Sequence, residues 1–247
     1  MFTLHNGDCL QYMRSLPSGS VSAIITDPPY GMNKDFENDT PEQADALFEA
    51  VCVEAKRICT GNFLAFWSAQ RMDKIAQFKP KRVLIWNKTF AIYTPHNVGY
   101  RYEPVFWMFG ETAYNKIGDV IEGYPILFKS QPENESHPTQ KPLEVMRKII
   151  ENFTLPDDIV FDPFTGSGST GVAALQLGRR FIGCELNAEY HAIAEKRLQQ
   201  AVLSPSLFTP SNNRLHMDAG DSPRQKDLFA PEDLSAGEGF TTPAPRQ

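Results

Sequence analysis

D-P-F-T-G-S-G-S-T-G, residues 162–171, follows the apolar run I-V-F at 159–161 and leads into V-A-A-L at 172–175. Gly166 and Gly168 stand between a predicted strand and a predicted helix, where a tight turn lets a ligand approach the backbone and the first helical amides meet a polar or anionic group. Glu185 closes the next predicted strand, R-F-I-G-C-E at 180–185, 19 residues after Gly166. In a βαβ unit a carboxylate there accepts hydrogen bonds from both hydroxyls of a ribose. Loop and acid together point to a cofactor that contains a nucleoside. The loop does not fit G-x-x-x-x-G-K-[ST], which argues against a phosphate-gripping lysine and ATP hydrolysis. Its third glycine, Gly171, falls inside the predicted helix, and NAD stays open on this stretch alone.

Outward from the loop the alternation of short apolar runs and helical patterns continues, the mark of an α/β chain with a mostly parallel sheet. Strands are expected at 21–26, 62–67, 82–86, 103–109, 159–162 and 180–185. Helices are expected at 41–58, 142–153, about 169–177 and 188–202. The helix at 142–153 opens on Pro142 and places Leu143, Met146, Ile149, Ile150 and Phe153 on one face. From residue 203 the chain becomes rich in Pro, Ser, Thr and Gly, so 1–202 is expected to form the catalytic domain and 203–247 a disordered tail.

A chain of 247 residues, 41% hydrophobic, buries one substantial core. No apolar stretch reaches the roughly 18 to 20 residues of a membrane span, and M-F-T-L-H-N-G-D lacks a signal-peptide pattern, so a cytoplasmic protein is expected. Cys9, Cys52, Cys59 and Cys184 form no C-x-x-C pair, and neither a zinc site nor a disulfide framework is expected. The net charge of -6 hides an asymmetry, because residues 71–150 hold 12 basic against 8 acidic side chains. A polyanion would be met there, in a salt-dependent manner.

T-D-P-P-Y-G, residues 26–31, ends the apolar run V-S-A-I-I. An exocyclic amino group on a nucleobase is a poor nucleophile, since its lone pair is delocalised into the ring. Alkylating it requires two acceptors that pyramidalise the nitrogen. The Asp27 carboxylate and the Pro28 carbonyl supply them, and Pro28 and Pro29 fix the backbone so that both are aimed in advance. Tyr30 offers a flat face for an unstacked base.

D-P-P-Y, the preceding G-D-C-L, H-P-T-Q-K-P at 137–142 and D-P-F-T-G-S-G-S-T together resemble the amino-group DNA methyltransferases, in the motif order of the β class. The resemblance runs from about residue 4 to 200. It implies a doubly wound, Rossmann-like fold with circularly permuted motifs, and S-adenosylmethionine as cofactor. It further implies that Asp27, Pro28, Pro29 and Tyr30 hold the target base, and that Asp162, Phe164, Gly166, Ser167 and Gly168 contact the methionine part of the cofactor. Glu185 would take its ribose, Asp8 and Cys9 its adenine, and Lys141 would close over it.

Asp at the head of the motif resembles adenine N6 enzymes, while Ser is more typical of cytosine N4 enzymes. The expected activity is therefore N6 methylation of adenine in double-stranded DNA by base flipping, without a metal. Alternatives are cytosine N4 methylation, a protein-glutamine methyltransferase, against which both Asp27 and the motif order argue, and a catalytically silent DNA-binding or clamp-docking module. A short target-recognition insertion is expected at about 110–136, with Lys88, Arg101, Asn115, Lys116, Lys129 and Gln131 as DNA contacts. In the tail, Q-K-D-L-F resembles a sliding-clamp peptide through Gln225, Leu228 and Phe229. A homodimer is a further expected partner state.

Overall fold

The computed structural model describes residues 1–32, 40–93, 99–111, 113–115, 117–123 and 140–203. Among them eight strands form one sheet: β1 Phe2–Asn6, β2 Val21–Thr26, β3 Cys59–Phe66, β4 Arg82–Tyr93, β5 Gly99–Phe109, β6 Val120–Glu122, β7 Ile159–Asp162 and β8 Arg180–Glu185. Their order is β1-β8-β7-β2-β3-β5-β4-β6, and only β5 runs against its neighbours. β2 is buried at every position but one, as expected of a central parallel strand covered on both faces.

Helices cover both faces. α1 Cys9–Ser15, α2 Pro41–Ile58 and α3 Met72–Ala76 feed one core. α4 Leu143–Phe153, α5 Ser169–Gln176 and α6 Ala188–Leu203 feed the other. α2 starts where Thr40 accepts from the Gln43 amide at 3.3 Å and Pro41 takes the first turn, where its missing N–H costs nothing. It then buries Ala44, Phe48, Val51, Cys52, Ala55 and Ile58, a helical stripe. Phe48 is fully buried against Phe63, Trp67 and Phe78, and truncating it to Ala should cost about 3–5 kcal/mol.

Chain order fixes where a ligand can sit. From β7 the chain steps outward to β8, while from β2 it steps the other way to β3, so the boundary between β7 and β2 is the topological switch point. At such a point the crevice beyond the carboxyl ends of the strands is open to a ligand. The reversed β5 brings its amino-terminal end to this same edge: Val105 pairs with Phe66, the last residue of β3.

The structure adds elements that the sequence reading leaves out. β1 and α1 precede the expected first strand, and the β4–β5 hairpin is longer than expected. Val120–Glu122, inside the expected recognition insertion, pairs in parallel with β4 and buries Ile121, so part of that segment is sheet. Lys116, Lys129, Gln131, His137, the tail beyond Leu203 and its Gln225, Leu228 and Phe229 lie outside the described residues. Among the described residues no helix is long and apolar enough to cross a membrane. All four cysteines are buried.

Candidate active site

Three acids stand at the carboxyl ends of three adjacent parallel strands: Asp27 just after β2, Asp162 at the end of β7, and Glu185 at the end of β8. Asp162 is the brace between them. Its carboxylate accepts from Thr26 Oγ1 at 2.6 Å, from Thr170 Oγ1 at 2.6 Å and from the Phe164 amide at 3.0 Å. Burial pushes its carboxyl up to about 6 against the pull of these donors. At 2% exposure it braces the glycine loop from within.

The glycine loop is built as a cradle. Gly166 and Gly168 adopt left-handed φ of 53° and 85°. A Cβ on Gly168 would lie 3.2 Å from Ala194 of α6, so the loop is pressed onto that helix. Glu185 accepts from the Gly166 amide at 2.7 Å and from the Asn187 amide at 2.9 Å, and burial raises its carboxyl above the usual range. A carboxylate has about four acceptor positions, so these bonds leave room for a ribose hydroxyl. At the start of α5 the Ser169 hydroxyl is buried with no hydrogen-bond partner. An orphaned hydroxyl, a glycine cradle and a strand-end acid fit the polar ends of a nucleoside-bearing cofactor.

The neighbouring end of β1 completes this half. Asn6 donates to the Glu185 carbonyl at 2.8 Å, and the Gly7 amide donates to the same oxygen at 3.0 Å. Asp8 caps α1, accepting from the Gln11 amide at 2.7 Å. Burial pushes the Cys9 thiol up to about 12, which keeps it protonated.

The D-P-P-Y loop is held by charges. Tyr30 donates its hydroxyl toward Asp27, and the same oxygen lies 2.8 Å from Glu103 Oε1. Lys141 Nζ is 2.5 Å from Asp27 Oδ2 and 3.0 Å from Glu103 Oε1. Lys88 Nζ is 2.6 Å from Glu103 Oε2. Two lysines and two carboxylates thus form one neutral cluster, the arrangement that makes buried charge tolerable. Burial alone would raise Glu103, but Lys141 and Lys88 hold it down at about 2. Burial favours a neutral Lys141 amine, yet Asp27 and Glu103 keep it charged above the ordinary lysine range. Burial pushes Asp27 up, with Lys141 opposing.

Behind the loop, Arg71 donates to the Tyr30 carbonyl at 2.5 Å and grips both oxygens of Asp45 at 2.7 and 2.8 Å. Gly31 has φ 68°, and a Cβ there would meet Arg71 at 2.0 Å and the Pro41 backbone at 2.8 Å, so the motif ends on a glycine. The Tyr30 ring tilts against Trp67, with centroids 5.8 Å apart.

Lys141 joins the Asp27 cluster, and Lys88 is turned inward onto Glu103, because each ammonium finds a carboxylate in reach. Of the other expected DNA contacts, Arg101 is exposed, and Asn115 is exposed and donates to the Glu151 carbonyl at 3.2 Å. Glu103, Arg71, Thr26 and Thr170 were not anticipated. Glu103 precedes the apolar P-V-F-W-M-F, and an acid on the amino-terminal side of that run in an antiparallel strand comes level with the acids at the ends of the parallel ones.

A nucleoside-cofactor cradle beside a proline-fixed carboxylate at one switch point defines a methyltransferase that acts on amino groups. The chain belongs to the N6/N4 DNA methylase family, which it matches over residues 21–196. Its cofactor is S-adenosylmethionine. It is 34% identical over 231 residues to YubD of Escherichia coli (strain K12), a methylase by name, covering 83% of this chain and 96% of that one. It is 28% identical to the DNA adenine methyltransferase YhdJ of the same organism, covering 81% and 83%. The crystal structure of M1.HpyAVI with S-adenosylmethionine shares 30% identity at a TM-score of 0.63, covering 80% of this chain and 99% of that one.

Proposed function

We propose that the chain methylates the N6 amino group of adenine in double-stranded DNA, acting on a base flipped out of the duplex. The observation that carries this reading is the placement of Asp27 directly after Thr26, whose hydroxyl is bonded at 2.6 Å to the acid that braces the glycine loop. The amine acceptor and the cofactor cradle therefore share one framework. S-adenosylmethionine, when bound, supplies a methyl group on an electrophilic sulfonium.

Gly166, Ser167, Gly168 and Phe164 line the turn that would take the methionine part, Glu185 the ribose, and Asp8 and Cys9 the adenine side. Asp27 and the Pro28 carbonyl accept the two N–H groups of the target amine, so that its lone pair turns out of conjugation. Tyr30 bounds the base pocket, and Arg71 fixes the far end of the loop through the Tyr30 carbonyl. Asp rather than Ser at the head of the motif, together with a relative named as an adenine methyltransferase, supports adenine over cytosine.

The test is transfer of labelled methyl from S-adenosylmethionine to DNA, followed by digestion to nucleosides. Label in N6-methyladenine is expected. Label confined to N4-methylcytosine would refute the base assignment, and absence of transfer would refute the activity.

A further inference from the structure

Asp27 is described above as the acceptor for the amine, yet both of its oxygens have protein partners. Tyr30 donates to one, and Lys141 sits 2.5 Å from the other. A charge-assisted bond is roughly twice as strong as a neutral one, so a neutral aromatic amine competes poorly with an ammonium for the same oxygen. A carboxylate neutralised in this way is also a weaker acceptor just where the reaction needs a strong one. Lys141 must yield when the base arrives, and an ammonium only 10% exposed cannot move to water without cost.

Glu103 is the only other carboxylate that contacts Lys141 among the described residues, at 3.0 Å, and it is itself buried. It reaches this place because β5 runs antiparallel: Val105 lies level with the end of β3, so Glu103, two residues earlier and still paired with Trp86 of β4, lies beyond the end of β3 and meets Lys141 and Tyr30. Lys88 on its second oxygen and the Tyr30 hydroxyl beside its first hold it in place. Its carboxyl is held down at about 2 by Lys141 and Lys88 and is ionised at neutral pH.

We infer that Glu103 is a positioning residue that receives Lys141 when the target amine takes its place on Asp27, so that Lys141 masks the acceptor until substrate entry unmasks it. This rests on the amino-methyltransferase reading. Lys141 exchanges one carboxylate for another over a short path, the cluster stays neutral throughout, and no charge is stranded. Without Glu103 the lysine would have only Asp27 to pair with and would hold it more tightly.

The test is single-turnover methyl transfer from labelled S-adenosylmethionine to DNA by the full chain, for wild type, Glu103→Gln, Lys141→Met and the double variant, with cofactor and DNA affinities measured alongside. Glu103→Gln should slow transfer about 10- to 100-fold while both dissociation constants stay within about threefold. The double variant should be faster than Glu103→Gln alone, because removing the lysine unmasks Asp27, a reversal that loss of packing would not give. Glu103→Asp, which keeps the charge, should recover part of the rate. If Glu103→Gln fails to bind cofactor, the comparison is made in the Glu103→Asp background. A wild-type rate in Glu103→Gln, or a double variant as slow as or slower than the single, overturns the inference. Absence of transfer by the wild type would instead defeat the underlying activity.

Discussion

The glycine loop after β7 and the D-P-P-Y loop after β2 are joined by one bond, Thr26 to Asp162, and are held by different forces. On the glycine side most donors are hydroxyls and backbone amides, from Thr26, Thr170, Phe164 and Gly166, joined by one guanidinium, that of Arg197, which donates to the Ser167 carbonyl and, at 2.9 Å, to its hydroxyl. The D-P-P-Y side is fixed by Lys141, Glu103, Lys88 and the Arg71–Asp45 pair. A loop held mainly by hydroxyls and backbone amides on fixed strand-end acids is set in shape before a ligand arrives. A loop set by charges can exchange partners at nearly constant energy, which suits the side where chemistry takes place. Binding and reaction therefore sit on separate supports with one brace between them.

Removing the brace should have the largest effect. Asp162→Ala leaves two buried hydroxyls and an amide without their acceptor, costs about 3 kcal/mol in chemical denaturation, and lowers cofactor affinity and turnover together. Arg71→Met should cost about 2 kcal/mol and slow methyl transfer while cofactor affinity stays within about threefold. A matching fall in affinity would mean that the two supports are not separate.

A smaller and sharper effect is in pH. The native carboxyl of Asp162 titrates near 6 against about 3.9 in an unfolded chain, so the folded state keeps a proton that the unfolded state has lost. Stability from this group is complete below about pH 4 and declines as pH rises through 6. Asp162→Asn should flatten that decline, by about 1–3 kcal/mol, in unfolding free energies measured from pH 4 to 7. Glu103 has the opposite sign: its contribution is present above about pH 4.3 and is lost only as pH falls toward 2. Smallest of all, Asn115→Ala, at an exposed site outside both loops, should change stability by less than about 0.5 kcal/mol in the same assay.

The parallel half of the sheet was legible because its chemistry sits where apolar strands end. Asp27, Asp162 and Glu185 each follow a run of buried residues, and Gly166 and Gly168 mark the turn. The chemistry of the antiparallel half was not. Glu103 precedes its apolar run instead of ending it, and only the reversal of β5 puts it beside Asp27, 76 positions away in sequence. Lys88 and Arg71 read as part of a basic surface because charge counts along a chain do not say which side chains turn inward. α1 is only seven residues long, and its helical cap Asp8 is also the residue that the family resemblance assigns to the cofactor.

The most direct test of separate supports is Asp27→Ala, measured for both functions on one preparation. Cofactor affinity by calorimetry should stay within about threefold of wild type, while single-turnover methyl transfer to DNA should fall at least 10²- to 10³-fold. Loss of both together, or transfer at an undiminished rate, would contradict the assignment of the chemistry to this carboxylate.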